Sequence, residues 1–119
     1  MIQKEFVPYD IALALKELGF DEPCMASRDM DNGEGLIQLP LYQQAFRWFR
    51  ENNMHSYIDF ADGKWSFIIF DTKLPVYYYP IQDQDTDTND NVEYDTYEEA
   101  EIACLKKLIE IVKDGRKSN

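Results

Sequence analysis

The chain has 119 residues, 45% of them apolar, with 8 Tyr, 7 Phe and 2 Trp. That is enough buriable surface for one folded core and too much for a disordered segment. Twelve Lys and Arg against 23 Asp and Glu give a net charge of -11, which argues against a sequence-independent hold on nucleic-acid phosphates, a task for clustered cations. No run approaches the roughly 20 apolar residues that span a bilayer, and Glu5 stands where a signal peptide carries its apolar stretch. The expectation is a cytoplasmic chain with no membrane partner.

The first predicted helix runs from Pro8, suited to the first helical position, to Leu18. Ile11, Ala14, Leu15 and Leu18 recur at helical spacing, Gly19 supplies a left-handed stop, and Phe20 is placed to fold back onto the last turn. A hairpin follows, with Cys24 to Arg28 and Gly35 to Leu39 as strands about Asp31-Asn32-Gly33, since Asn and Gly both tolerate positive φ. Leu39-Pro40 opens a second helix, 41–53, with Tyr42, Ala45, Phe46 and Phe49 on one face and Asn52-Asn53 as its stop. Trp48 falls off that stripe, so it is expected to cover an edge or a neighbouring sheet.

Two strands, His55 to Phe60 and Trp65 to Asp71, flank Ala61-Asp62-Gly63-Lys64, a hairpin signal. The second is apolar on both faces, Trp65, Phe67 and Ile69 one way and Ile68 and Phe70 the other, which makes it the middle strand. Val76 to Tyr79 forms a third, with Pro80 ending it or holding it at an edge. Residues 82–91 hold no apolar side chain. Thr96-Tyr97-Glu98-Glu99 matches a capping box, with the Thr hydroxyl and the Glu carboxylate each taking a backbone N–H. The helix it opens, to Asp114, has Ala100, Cys104, Leu108, Ile111 and Val112 on its apolar face and Gly115 as its stop. The expected order is α-ββ-α-βββ-α in one compact α+β domain, 1–119, an antiparallel sheet packed against helices, with an acidic solvated loop over 82–94 and a frayed tail over 116–119.

Three blocks carry a resemblance. Glu5-Phe6-Val7-Pro8-Tyr9-Asp10-Ile11-Ala12 with Leu18 to Cys24, Tyr42 to Glu51, and Tyr94 to Glu101 running on through Cys104 to Glu110 cover about half the chain in order. The chain resembles a family of short uncharacterised proteins encoded by phages and mobile elements of gut anaerobic bacteria. The resemblance implies that genomic setting, and no activity, cofactor or catalytic residue comes with it.

The acidic segment is the most unusual feature. Asp83, Asp85, Asp87, Asp90, Glu93, Asp95, Glu98, Glu99 and Glu101 fall within nineteen positions, and no Lys or Arg lies between Lys73 and Lys106. Without these acids, 14 would remain against 12 bases. The bland reading is a solvated loop entering a helix whose first turn favours carboxylates. A sharper one is calcium: Asp85, Asp87 and Asn89 supply oxygens at positions 1, 3 and 5 of an EF-hand-like loop, with Val92 at 8. Asp90 replaces the turn glycine, however, and Thr96 the bidentate Glu. A third reading is a binding face that imitates phosphate charge and occupies the basic channel of a host nucleic-acid-binding protein.

Tyr77, Tyr78 and Tyr79, with Tyr57, Trp65 and Phe67, would stack bases only beside a basic groove, which the composition lacks. Exposed tyrosines such as Tyr77 and Tyr79 suit a protein contact better. For catalysis the signals are thin. His55 is the only histidine, nothing marks Ser27, Ser56 or Ser66 as an activated nucleophile, Asp29-x-Asp31 is ordinary turn chemistry, and no Gly-rich phosphate loop is present. Cys24 and Cys104 lack zinc-ligand spacing and read as two reduced thiols. The leading expectation is a non-enzymatic accessory protein without a cofactor, acting through a protein partner, with Asp83, Asp85, Asp87, Asp90 and Glu93 as candidate surface. The alternative is a divalent-cation module on the loop from Asp85 to Thr96, and a small enzyme comes third.

Overall fold

The computed structural model describes residues 5–74, 76–78 and 93–117, with 76–78, 116 and 117 described by backbone alone. In chain order the elements are α1 (Tyr9–Glu17), β1 (Ala26–Asp29), β2 (Leu36–Leu39), α2 (Tyr42–Glu51), β3 (Met54–Ala61), β4 (Lys64–Asp71), β5 (Val76–Tyr78) and α3 (Tyr97–Lys117). This is the α-ββ-α-βββ-α order that patterning predicts, an α+β arrangement with two antiparallel sheets, β1-β2 and β3-β4-β5. The chain gathers into two compact units, one holding the residues up to Trp48 and those from Ile109 on, the other spanning Phe49–Leu108.

In the first unit α1 starts one residue later than its patterning implies, because Pro8 is extended (φ -63, ψ 161) and serves as the cap. Its end follows the sequence. The Gly19 N–H donates to Lys16 O at 3.0 Å and the Phe20 N–H to Leu15 O at 3.0 Å, with Gly19 at φ 109. This is the two-bond closure that a left-handed glycine permits, and it buries Phe20. The buried face of α1 is Ile11, Ala12 and Leu15; Ala14, expected on it, is half-buried. The Trp48 ring, expected to cover an edge or a neighbouring sheet, meets Phe20 edge-on at 5.8 Å. On the other side of the α1 exit, Arg47 reaches Glu22 at 3.3 Å and the Gln44 amide donates to Pro23 O at 3.0 Å. α2 thereby holds the segment that leads into β1.

The first hairpin pairs Ala26 with Leu39 through Asp29 with Leu36. Among its strand residues Ile37 is buried, while Ser27, Arg28 and Asp29 are exposed. Its turn differs from the Asn-Gly reversal the sequence suggests. Gly33 and Gly35 take positive φ, whereas Asn32 does not. The Asn32 side chain instead accepts the Glu34 N–H at 2.9 Å, a local bond available to Asn in a longer loop.

In the second unit β4 is the middle strand, as its two apolar faces predict. β3 pairs with it from Met54 with Asp71 to Ala61 with Lys64, and β5 pairs Ile69 with Tyr78 and Asp71 with Val76. The expected third strand ended at Tyr79, which with Pro80 lies outside the described residues. Phe67 and Ile69 are buried, and Ile68 and Phe70 on the opposite face are half-buried. Cys104 of α3 shares a side-chain hydrogen bond with Ser56 of β3, so α3 lies against the sheet face that also carries Phe67 and Ile69.

Two expectations for α3 change. Leu105 and Ile109 join Ala100, Cys104 and Leu108 as its buried residues, while Ile111 and Val112 are half-buried. The helix offers apolar flanks on both sides of the Ala100–Cys104–Leu108 line, and the flank through Leu105 is the one taken. Gly115 does not end the helix, which runs to Lys117 and so into the tail expected to fray. A glycine in helical conformation costs about 1 kcal/mol relative to Ala, too little to stop a helix anchored by the turns before it.

Candidate functional site

The β3–β4 turn builds one end of the site. Asp62 (φ 54) and Gly63 (φ 77) are both left-handed, the tight reversal that matches strand twist, and this sets Ala61 opposite Lys64 and Phe60 opposite Trp65. Directly opposed residues share a sheet face. The Phe60 and Trp65 rings accordingly sit 4.6 Å apart between centroids.

The start of α3 supplies the rest. Tyr94 bridges the other edge of β4, its N–H donating to Trp65 O at 2.7 Å and the Trp65 N–H to Tyr94 O at 2.8 Å; its ring stacks on Phe67 at 6.3 Å. Thr96 then caps the helix, its hydroxyl accepting the Glu99 N–H at 3.1 Å. The predicted capping box is made in a changed form, because the Glu99 carboxylate accepts the Thr96 hydroxyl at 3.0 Å. With Thr96 as cap, Tyr97 opens the helix, and its ring meets Trp65 edge-on at 5.4 Å. Three rings thus stand in a row, Phe60, Trp65 and Tyr97. Phe60 is 54% exposed, Tyr97 is 41% exposed, and Trp65 between them is half-buried.

Carboxylates surround this row. Lys64 forms an ion pair with Asp95, and the charges of Glu93 and Glu99 also act on it. These partners, Asp95 first, push the Lys64 ammonium's pKa up. The hydrogen bond and charge of Lys64 hold the Asp95 carboxyl below its ordinary range. On the other side the Tyr97 hydroxyl donates to Glu101, and burial, followed by the Glu101 charge, pushes the phenol up. Burial and then the charge of Glu98 push the Glu101 carboxyl up, against the Tyr97 hydrogen bond. Glu93, Asp95 and Glu99 face the Lys64 ammonium, while Glu98 and Glu101 act on the Tyr97 phenol. The result is a three-ring surface under negative potential.

Of the predicted surface residues, Glu93 is exposed here. Tyr77 pairs with Phe70 in the sheet register. Asp83, Asp85, Asp87, Asp90 and Tyr79, with the calcium candidate Asn89, lie outside the described residues. Among the described residues no group of three or more His, Cys, Asp or Glu side chains is arranged to hold a metal ion. The aromatics Tyr57, Trp65 and Phe67 do not share one sheet face. Tyr57 lies opposite Ile68, on the sheet face away from Trp65 and Phe67, as two-residue alternation requires.

His55 and Ser27 are exposed, opposite Phe70 and Gln38, and Ser66 is half-buried opposite Asp59, each on a strand and in a different register position. Asp31 pairs with Arg28 at 2.8 Å, the local turn chemistry its position suggests. Cys24 and Cys104 are free thiols, the first half-buried and the second buried.

Phe60 and Tyr97 were not singled out from the sequence, yet both were within reach of it. A two-residue turn at Asp62-Gly63 fixes Phe60 opposite Trp65, and a cap at Thr96 puts Tyr97 at the first helical position. No helix among the described residues is long and apolar enough to cross a membrane. Comparison of the chain with protein-family models, with curated proteins and with solved structures returns no match.

Proposed function

We propose that this chain is a small non-enzymatic accessory protein of a phage or mobile element that works in the cytoplasm by binding another protein. A basic protein is the partner its charge suits, with a host nucleic-acid-binding protein as the target whose basic channel an acidic surface can occupy. The observation that carries this reading is the exposure of Phe60 and Tyr97 beside five carboxylates at one end of the β3–β5 sheet. Exposed aromatics supply contact area at low entropic cost, and charge of one sign steers a partner of the opposite sign. The preceding stretch of chain carries further acids at 83, 85, 87 and 90.

The test is capture from a host extract on the immobilised chain at low and high salt, with a variant carrying Asp85→Asn, Asp87→Asn and Asp90→Asn alongside. A basic protein held at low salt, released at high salt and held more weakly by the variant is the expected result, since exposed charges are screened over about 10 Å at 0.1 M. Capture unchanged by salt and by the substitutions overturns the acidic-face reading.

A further inference from the structure

We infer that the row Phe60, Trp65 and Tyr97 is a clamp for an arginine-rich segment of a protein partner. The inference deepens the interaction reading above and rests on it, committing that reading to one surface and one side-chain chemistry. The argument begins from complementarity. A guanidinium is planar, delocalised and weakly hydrated, so it stacks on an aromatic face while its N–H groups remain free to reach carboxylates at the rim. Both halves of that requirement are present within one turn of α3 and the end of one hairpin. Phe60 is 54% exposed and Tyr97 41% exposed, and Trp65 holds them at ring-centroid distances of 4.6 and 5.4 Å.

The rim is acidic, with Glu93 acting on Lys64 next to Trp65 and Glu98 acting on Tyr97. Glu93 and Glu98 are exposed and free of structural duty in the cap, unlike Glu99, which closes on Thr96. Asp95 is already matched to Lys64, and Glu101 accepts the Tyr97 hydroxyl, which fixes that ring. Ring rotation is therefore restricted before any partner arrives, and a clamp that is already set loses less entropy on binding. A lysine ammonium would satisfy the charge but not the stacking, because it is a compact and strongly hydrated point charge. Arginine is the better fit.

The experiment uses two acetylated peptides, octa-arginine and octa-lysine, titrated into the full chain by calorimetry. The indole N–H signals of Trp65 and Trp48 are followed by NMR, with Trp48→Phe to assign them. Octa-arginine is expected to bind about 3–10-fold more tightly than octa-lysine and to move the Trp65 signal, not that of Trp48. Phe60→Leu, which keeps apolar bulk and removes the ring, is expected to erase most of that preference while leaving octa-lysine binding within about 2-fold. Glu93→Gln with Glu98→Gln is expected to weaken both peptides and flatten their salt dependence.

Equal affinity for the two peptides, or a Phe60→Leu variant that keeps the arginine preference, overturns the clamp. If Phe60→Leu also captures the same basic protein from host extract as the parent does, with the same release by salt, the clamp falls and charge-driven interaction stands. If the parent binds neither peptide nor any basic protein, both readings fall together.

Discussion

At Asp62-Gly63 the chain reverses in two left-handed residues, and the strands on either side run for eight residues each. At Asn32-Gly33 the reversal takes residues 30–35, Asn32 stays out of the left-handed region, and the strands are four residues each. The two dipeptides are near-equal hairpin signals, so the difference must come from their flanks. β4 buries Phe67 and Ile69, whereas β1 exposes Ser27, Arg28 and Asp29 and β2 buries only Ile37. A one-residue slip in β4 would carry its buried set to the opposite face, while the same slip in β1 would move little apolar surface. Packing therefore fixes the register of the second hairpin. The first is fixed by local polar contacts: Asn32 with the Glu34 N–H, Arg28 with Asp31 and over the Tyr9 ring at 4.1 Å, and the Asp31 N–H donating to the Tyr9 hydroxyl at 3.0 Å.

The largest expected effect comes from removing the packing that separates the two hairpins. Phe67→Ala is expected to cost about 3–5 kcal/mol in urea denaturation, the range for a buried ring exchanged for a methyl. Leu36→Ala, at an exposed position of the first hairpin, should stay within about 0.5 kcal/mol. If Phe67→Ala cost under 1 kcal/mol, the contrast between a packed and a locally tied hairpin would be broken.

Those flanks also explain how much could be read from the sequence. Alternation through Trp65 to Phe70 made β4 the middle strand, and the spacing of Thr96 and Glu99 placed the start of α3, because both signals are local and both are enforced by burial on the spot. The end of α3 was misread at Gly115, where the anchor lies in earlier turns at Leu105 and Leu108. The contact of Trp48 with Phe20 was out of reach for a related reason: Phe20 sits 28 positions earlier in the chain, and its position depends on how Gly19 closes α1. The three-ring row was legible only in pieces. Its members come from two strands and a helix, and combining them requires the turn register and the cap together.

A smaller effect tests the turns themselves. Gly63→Ala puts a Cβ at φ 77 and is expected to cost about 1–2 kcal/mol, with no packing clash to add to it, since nothing lies within 4 Å of the added atom. Asn32→Ala removes two exposed side-chain bonds, one to the Glu34 N–H and one to the Glu34 carboxylate, and should cost about 0.5–1 kcal/mol. Cross-strand amide contacts in NMR add the decisive detail. The β3–β4 register should survive Gly63→Ala, because buried side chains hold it, whereas the β1–β2 contacts near residues 29 and 36 should weaken in Asn32→Ala. Survival of every β1–β2 contact would show that Ile37 alone fixes that register.

The gentlest test changes no residue, because each hairpin has a thiol beside it. The Cys24 N–H donates to the Gln38 side chain of β2 at 3.0 Å, and its thiol to Glu22 O at 3.4 Å. Burial first, then the Glu22 charge, pushes that thiol up, against the Gln44 hydrogen bond. Cys104 meets Ser56 of β3, and burial pushes its thiol up to about 12. Because the thiolate is the reacting form, both should alkylate more slowly than a free cysteine at pH 8. Cys24 is half-buried and should react through local motion, so moderate urea should change its rate little. Cys104 should wait for the sheet and α3 to part, and its rate should rise steeply with urea as that opening becomes cheaper. The sign of the pH dependence follows from the raised thiol. The folded form keeps the proton more firmly, so the stability Cys104 confers is full below the ordinary thiol range and fades as pH climbs toward 12. Iodoacetamide labelling read by mass spectrometry after digestion separates the two sites. Parallel urea dependences for Cys24 and Cys104 would mean that the locally tied hairpin opens only when the packed one does, and the distinction between them would then be one of geometry without a difference in stability.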